Sequence, residues 1–194
     1  MEPLIDSVIR KVKKACFNIV YSRRFKSFGR GVSIQSPLHI YGEENISIGD
    51  NVLVQYKSWL AACPDTGSDS CNLSIGDGCV IGHFNEIYAT KSIVIEDKVL
   101  TADRVYISDN LHGYEDPAIP VLEQPLKQIG CVRIGEGSWL GVGVAVLGAN
   151  IGKHCVIGAN SVVTKDIPDY CVAVGAPAKV IKMYNQESNT WDKV

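Results

Sequence analysis

The sequence predicts an all-β solenoid wound from short strands and tight corners. The first sign is an aliphatic residue followed by Gly that returns every six residues, as in Ile134-Gly135, Leu140-Gly141, Ile151-Gly152 and Ile157-Gly158. The second is the same rhythm upstream, through Ile46/Ile48, Val52, Val54, Ile75, Ile81, Ile87, Ile93/Ile95, Val99, Val105 and Ile107. The third is the filling between these residues, which is rich in Gly, Asn, Asp and Ala. A helix would repeat at about 3.6 residues and a strand at 2, so a period of six marks strands joined by corners. Each aliphatic residue is expected to point inward and stack on its equivalent in the next coil, so that neighbours bury one continuous core. Gly and Asn are expected at the corners because they tolerate left-handed backbone geometry.

Residues 1–30 read as an N-terminal helical segment. Leu4, Ile5, Val8, Ile9, Val12, Cys16, Ile19 and Val20 have helical spacing over 3–26. Its other face is basic, with eight Lys/Arg against Glu2 and Asp6 in the first thirty residues. We favour an amphipathic helix that packs its apolar stripe on the protein; peripheral contact with the anionic inner face of a membrane is the sharper alternative. Residues 31–182 form the solenoid. Two stretches leave the stack: a loop at 62–72 with turn chemistry and no period, and a longer, irregular excursion at 109–130 with Pro117, Pro120 and Pro125. Residues 183–194, with Trp191, read as a short C-terminal helix or extension. One step is short: five residues separate Val146 from Ile151. Gly148 and Asn150 suit the tighter corner.

At 194 residues the chain can bury a substantial core. A net charge of -2 gives no reason to expect nucleic acid as a partner. Seven cysteines without a CxxC pair signal neither a disulfide framework nor a zinc site, and read as small buried hydrophobes. The N-terminus lacks a signal peptide's apolar core and no apolar run is long enough to span a bilayer, so a soluble, cytoplasmic protein is expected.

The chain resembles the hexapeptide-repeat acyltransferases over roughly residues 31–182. The most specific residues are Trp139 in Ile-Gly-x-x-x-Trp, then Ile157-Gly-Ala-Asn-Ser-Val-Val-Thr-Lys-Asp-Ile-Pro and Gly175-Ala-Pro-Ala-Lys-Val-Ile. The run Tyr106-Ile-Ser-Asp-Asn-Leu-His112-Gly-Tyr-Glu-Asp-Pro, followed by Gln124-Pro-Leu, is similar to bacterial sugar O-acetyltransferases. The nearest in kind decorate O-antigen and capsular polysaccharide and are cousins of galactoside and maltose acetyltransferases. The resemblance implies a left-handed parallel β-helix, acetyl-CoA as co-substrate, a sugar or glycan acceptor, no required metal, and a homotrimer with active sites between neighbouring copies.

Moving an acetyl group from a thioester to a hydroxyl needs a base, and histidine titrates in the useful range. His112 opens the 109–130 excursion and matches the family's catalytic histidine. Its orienting acceptor stays open among Asp109, Glu115, Asp116 and a backbone carbonyl. His83 and Asn85 fall near the family's acceptor-binding asparagine; a corner Asn in left-handed geometry competes with that role for Asn85. His39 and His154 are expected at structural surface corners. By resemblance Trp139 lies beside the pantetheine arm, Gly141, Val142 and Ala159 line its groove, and Thr164, Lys165 and Lys182 meet the nucleotide end of coenzyme A. The rivals are N-acetylation of an amino sugar nucleotide on the same fold and a non-catalytic scaffold. A metal hydratase is a further rival, but the His-x4-His spacing it would need is absent.

Overall fold

A computed structural model of the chain describes Val12 and residues 20–194. The backbone winds through three parallel sheets in turn, here called A, B and C. The first coil lays Ser27–Phe28 on sheet A, Ser33–Ile34 on B and His39–Tyr41 on C. The fourth lays Ser92–Ile95, Leu100–Thr101 and Tyr106–Ser108 on the same sheets, and the fifth Val132–Ile134, Trp139–Leu140 and Ala145–Leu147. Partners lie about one coil apart in sequence: Leu100 pairs with Val80 on one side and Trp139 on the other. Sheet A has five strands, extended by isolated bridges at Ile151 and Ile167, and sheet C has six.

The inward row is the aliphatic series read from the sequence. Ile46, Ile75, Ile81, Ile87, Ile93, Ile107, Ile134 and Leu140 are enclosed, each contributing roughly 1.5–3 kcal/mol by burial. Cys71, Cys79, Cys155 and Cys171 belong to this core as free thiols, whereas Cys131 is exposed. Burial pushes Cys71 up to about 12 and Cys79 to about 11, so these thiols behave as hydrophobes.

The corners differ from expectation. The left-handed position is held not only by Gly and Asn but by Lys57, Phe84, Lys98, Arg104, His154 and Tyr170. Stacking explains how. The backbone N–H at this position donates to the coil below, as in Arg104 to the His83 carbonyl at 2.9 Å and His154 to Glu136 at 2.8 Å. Such bonds hold a geometry that costs about 1–2 kcal/mol for a residue with a Cβ. His154 is a corner residue stacked on Tyr170, but His39 lies on a strand of sheet C, beside Tyr41 and Trp59.

The C-terminal helix is overturned. Lys179–Asn185 folds back antiparallel on Cys171–Val174, and Thr190–Lys193 pairs with it in turn. Tyr184 meets Trp191 across that hairpin, with ring centroids 5.4 Å apart. Most of the helix expected over 3–26 lies outside the described residues. Its expected end is instead a 3-10 turn at Ser22–Arg24, and Ser27–Phe28 already pairs on sheet A. Among the described residues no helix is long and apolar enough to cross a membrane.

Candidate active site

Both excursions leave the stack where sheet C passes to sheet A. The longer one is more regular than its composition suggested: Asn110–His112 and Leu126–Gln128 form an antiparallel hairpin, with His112 opposite Leu126. Gly113 must follow, because a Cβ there would lie 2.7 Å from the Pro125 carbonyl oxygen. The hairpin is anchored at its base by Asp109, which is fully buried. The Asp109 carboxylate accepts the backbone N–H groups of Thr90, Lys91 and Ser92, each at 2.8 Å, and the Thr90 hydroxyl at 2.9 Å. Its carbonyl accepts Gln128 Nε2 at 2.8 Å and Ile129 N–H at 3.0 Å. Gln128 Oε1 in turn accepts the Thr66 hydroxyl at 2.9 Å, which ties the shorter loop to the hairpin.

His112 itself is exposed. None of the three carboxylates near it in sequence orients its ring. Asp109 is spent on the corner below, Glu115 pairs with Lys127, and Asp116 accepts the Ala118 N–H. Among the described residues the ring has no hydrogen-bond partner.

His83 and Asn85 occupy a different edge, where sheet B passes to C. Asn85 faces inward and is fully buried, in the row also filled by Ser58, Val105 and Val144. Its Nδ2 donates to the Ala102 carbonyl at 2.8 Å, while Oδ1 has no partner among the described residues. The left-handed corner position belongs to Phe84, not Asn85. Asn85 therefore braces the turn that presents His83 and does not offer its amide to a solute in this conformation. His83 remains partly exposed, with Nδ1 3.1 Å from Asp103 Oδ1. Sequence reading missed Asp103, although a spacing of twenty residues, one full coil, marks it as the neighbour above His83.

The donor-side residues divide between edges. Trp139 is 48% exposed on sheet B, in a cross-strand row that continues through Val156 and Val172 to Lys182. Neighbouring strands are about 4.8 Å apart, so Trp139 and Lys182 lie roughly 14 Å from each other along that face. Val142 and Ala159 are exposed at the B-to-C edge beside it. Gly141 is buried, and its missing side chain has a packing cause: a Cβ would meet the Ala159 backbone nitrogen at 2.8 Å. Thr164 and Lys165, both exposed, sit on the C-to-A edge with the His112 hairpin. The coil thus places His112, Thr164 and Lys165 along one edge, and Trp139, Val142, Ala159, Lys182 and His83 on or beside sheet B. It does not bring the two groups together within one chain. Among the described residues no cluster of three or more His, Cys, Asp or Glu could hold a metal ion.

Residues 131–165 match the family model described as the hexapeptide repeat of succinyl-transferase. A Mycobacterium tuberculosis protein named as an acetyltransferase is 39% identical over 164 residues, 84% of this chain and 51% of its own length, so the chain spans about half of that relative. The Escherichia coli K12 protein WbbJ, named as a lipopolysaccharide biosynthesis O-acetyltransferase, is 33% identical over 167 residues, 82% of this chain and 83% of its own. Among solved structures, the N-acyltransferase AntD of Bacillus cereus, crystallised with dTDP and 3-hydroxybutyryl-CoA, superposes with a TM-score of 0.73. It shares 22% identity over 88% of this chain and 89% of its own, and at that identity it speaks for the fold alone. With a relative 33% identical and covered over 83% of its length, the chain belongs to the hexapeptide-repeat acyltransferase family.

Proposed function

We propose that this chain is a cytoplasmic, acetyl-CoA-dependent O-acetyltransferase acting on a sugar hydroxyl of a bacterial surface polysaccharide or its precursor. In this reading the coil is left-handed and three copies assemble into a ring. The carrying observation is His112, an exposed imidazole on a braced hairpin, at the edge that also bears Thr164 and Lys165. The kinship with WbbJ supports a glycan acceptor.

The division of the candidate residues supports a shared site. If the C-to-A edge of one copy meets the B-to-C edge of the next, His112 faces its neighbour's His83, Val142, Ala159 and Trp139. Such a head-to-tail contact closes on itself as a ring. Sheet C, which lies between those two edges, would then face the ring axis. Its outer surface carries His39, Tyr41, Trp59 and Tyr88 at one end and Ala145 and Val162 at the other, aromatic and small side chains suited to burial between copies.

Coenzyme A fits the chemistry of the donor face, where Trp139, Val156 and Val172 form an apolar run that ends at the Lys182 cation. His112 takes the proton from the acceptor hydroxyl as its oxygen bonds to the acetyl carbonyl carbon. The carbon–sulfur bond then breaks, and the imidazolium returns the proton to the departing thiolate. No covalent enzyme intermediate is needed, because the thioester is already activated. His112→Ala should lower turnover by about 10²–10⁴-fold and leave the calorimetric affinity for coenzyme A near wild type. Near-wild-type turnover would remove His112 from the role. N-acetylation of an amino sugar nucleotide is the second reading; AntD, which shares the fold, is an N-acyltransferase. Assays with a hydroxyl-only and an amino sugar acceptor separate the two.

A further inference from the structure

The B-to-C edge holds a polar arrangement that the proposed acetyl transfer does not yet use. Of the four histidines, His83 alone has a carboxylate against its ring among the described residues. His39 Nδ1 meets only the Tyr41 hydroxyl at 3.4 Å, His154 stacks on Tyr170, and His112 has no partner among the described residues. Asp103 Oδ1 lies 3.1 Å from His83 Nδ1 and also accepts the His83 backbone N–H at 2.9 Å. Those two bonds hold the Asp103 carboxyl below its usual range, so at neutral pH it is ionised and can only accept. The proton between the two groups must then sit on Nδ1, which leaves the lone pair of the neutral ring on Nε2. Tyr56, from the coil below, meets the imidazole edge-on with centroids 6.0 Å apart.

Next to this ring is a cleft of about 330 Å³ lined by Phe84, Glu86, Arg104, Val105 and Tyr106. Phe84 lines it, and Tyr56 packs against Phe84 from the coil below, the two exposed rings 5.4 Å apart at 43% and 46% exposure. A pyranose has the matching chemistry. Its C–H face packs on the negative face of an aromatic ring, and its hydroxyls need both donors and acceptors. Glu86, Arg104 and the Tyr106 phenol supply these, and none of the three has a side-chain hydrogen bond or ion pair among the described residues.

We infer that Asp103 is a positioning residue that fixes His83 as its Nδ1–H tautomer, so that Nε2 accepts a hydrogen bond from a sugar hydroxyl seated between Tyr56, Phe84 and the Glu86–Arg104–Tyr106 cleft. This rests on the acetyltransferase reading only in placing that sugar as the acceptor; tautomer and sugar contact are measurable without turnover. The charged and titratable groups around the ring are Asp103 and Arg104 above, Tyr56 and Lys57 below, and Glu86 on its own coil.

The test is ¹⁵N NMR of the histidine rings in the full chain, with coenzyme A affinity measured separately by calorimetry. In the wild type His83 should show a protonated Nδ1 and a bare Nε2. Asp103→Ala, which removes the acceptor of the Nδ1 proton, should release the ring toward the Nε2–H tautomer. Maltose, methyl β-galactoside and N-acetylglucosamine serve as probes, and at least one should shift the His83 Nε2 signal, with weaker binding in Asp103→Ala. His83→Gln, which keeps an acceptor oxygen, should retain weakened binding of that sugar. An Nε2–H tautomer in the wild type, a tautomer unchanged by Asp103→Ala, or no response to any of the three sugars would overturn the inference. Failure to bind coenzyme A would instead strike the acetyltransferase reading and leave the tautomer result standing.

Discussion

Asp109 offers the sharpest perturbation, because one buried carboxylate joins the stability of the coil to the placement of His112. Asp109→Ala strips the acceptor from three backbone N–H groups and a hydroxyl, those of Thr90, Lys91 and Ser92. Hydrogen bonds to a charged partner are worth roughly 1.5–3 kcal/mol each, yet losses at one site do not add. A buried donor left without an acceptor costs about 1–3 kcal/mol, and with several such donors sharing one site a loss of about 3–5 kcal/mol is expected here. Against a total of about 5–15 kcal/mol for a domain, that is a large fraction. Asp109→Asn should cost less, about 2–3 kcal/mol, because its amide nitrogen must face backbone donors. Urea unfolding at fixed protein concentration reads both. Turnover should fall in both variants at temperatures where they remain folded, since the Asp109 backbone carries the Gln128 and Ile129 contacts of the hairpin, while coenzyme A affinity holds. A loss below about 1 kcal/mol in Asp109→Ala, or unchanged turnover, would refute the reasoning.

Gly148→Ala should lower the melting temperature by roughly 2–8 °C, since a Cβ would meet Ile129 at 2.9 Å and the backbone φ is +60°, a strain of about 1–2 kcal/mol at about 2–4 °C per kcal/mol for a chain of this length; differential scanning calorimetry checks this. Acid should weaken the fold through its depressed carboxyls. Burial raises Glu96, but the Arg133 guanidinium and the Glu136 N–H outweigh it and hold the group below its usual range. A carboxyl depressed in the folded state stabilises above its unfolded pKa, and that contribution is lost as pH falls through the folded value. The stability gap between wild type and Arg133→Ala should therefore narrow as pH drops below the ordinary carboxylate range, and a pH series of unfolding curves measures it. A gap that widened would contradict the pairing.

The inward row was legible because period six has one physical source, and Ile75, Ile81 and Ile87 fall where the rhythm puts them. The corners were less so: Phe84 and Arg104 take left-handed geometry that propensity assigns to Gly, because hydrogen bonds to the adjacent coil hold it. The C-terminal hairpin was only partly legible: its first strand begins in the turn-and-strand stretch up to Lys182, but the return strand Thr190–Lys193, within the expected helix or extension of 183–194, is exposed throughout and so carries no alternation. Asn85 looked like a ligand and packs like a core residue, since no spacing reveals which way a corner amide turns. Gln128 and Asp103 escaped notice because their partners lie across coils, where only register relates them.

Subunit complementation tests the shared site most directly. His112→Ala and Trp139→Ala, each purified and each impaired, are mixed under conditions that allow copies to exchange. If each site draws His112 from one copy and Trp139 from the next, random mixing restores about a quarter of the sites, and acetyl transfer recovers to about that fraction of wild type. A mixture no more active than its parents would contradict the account.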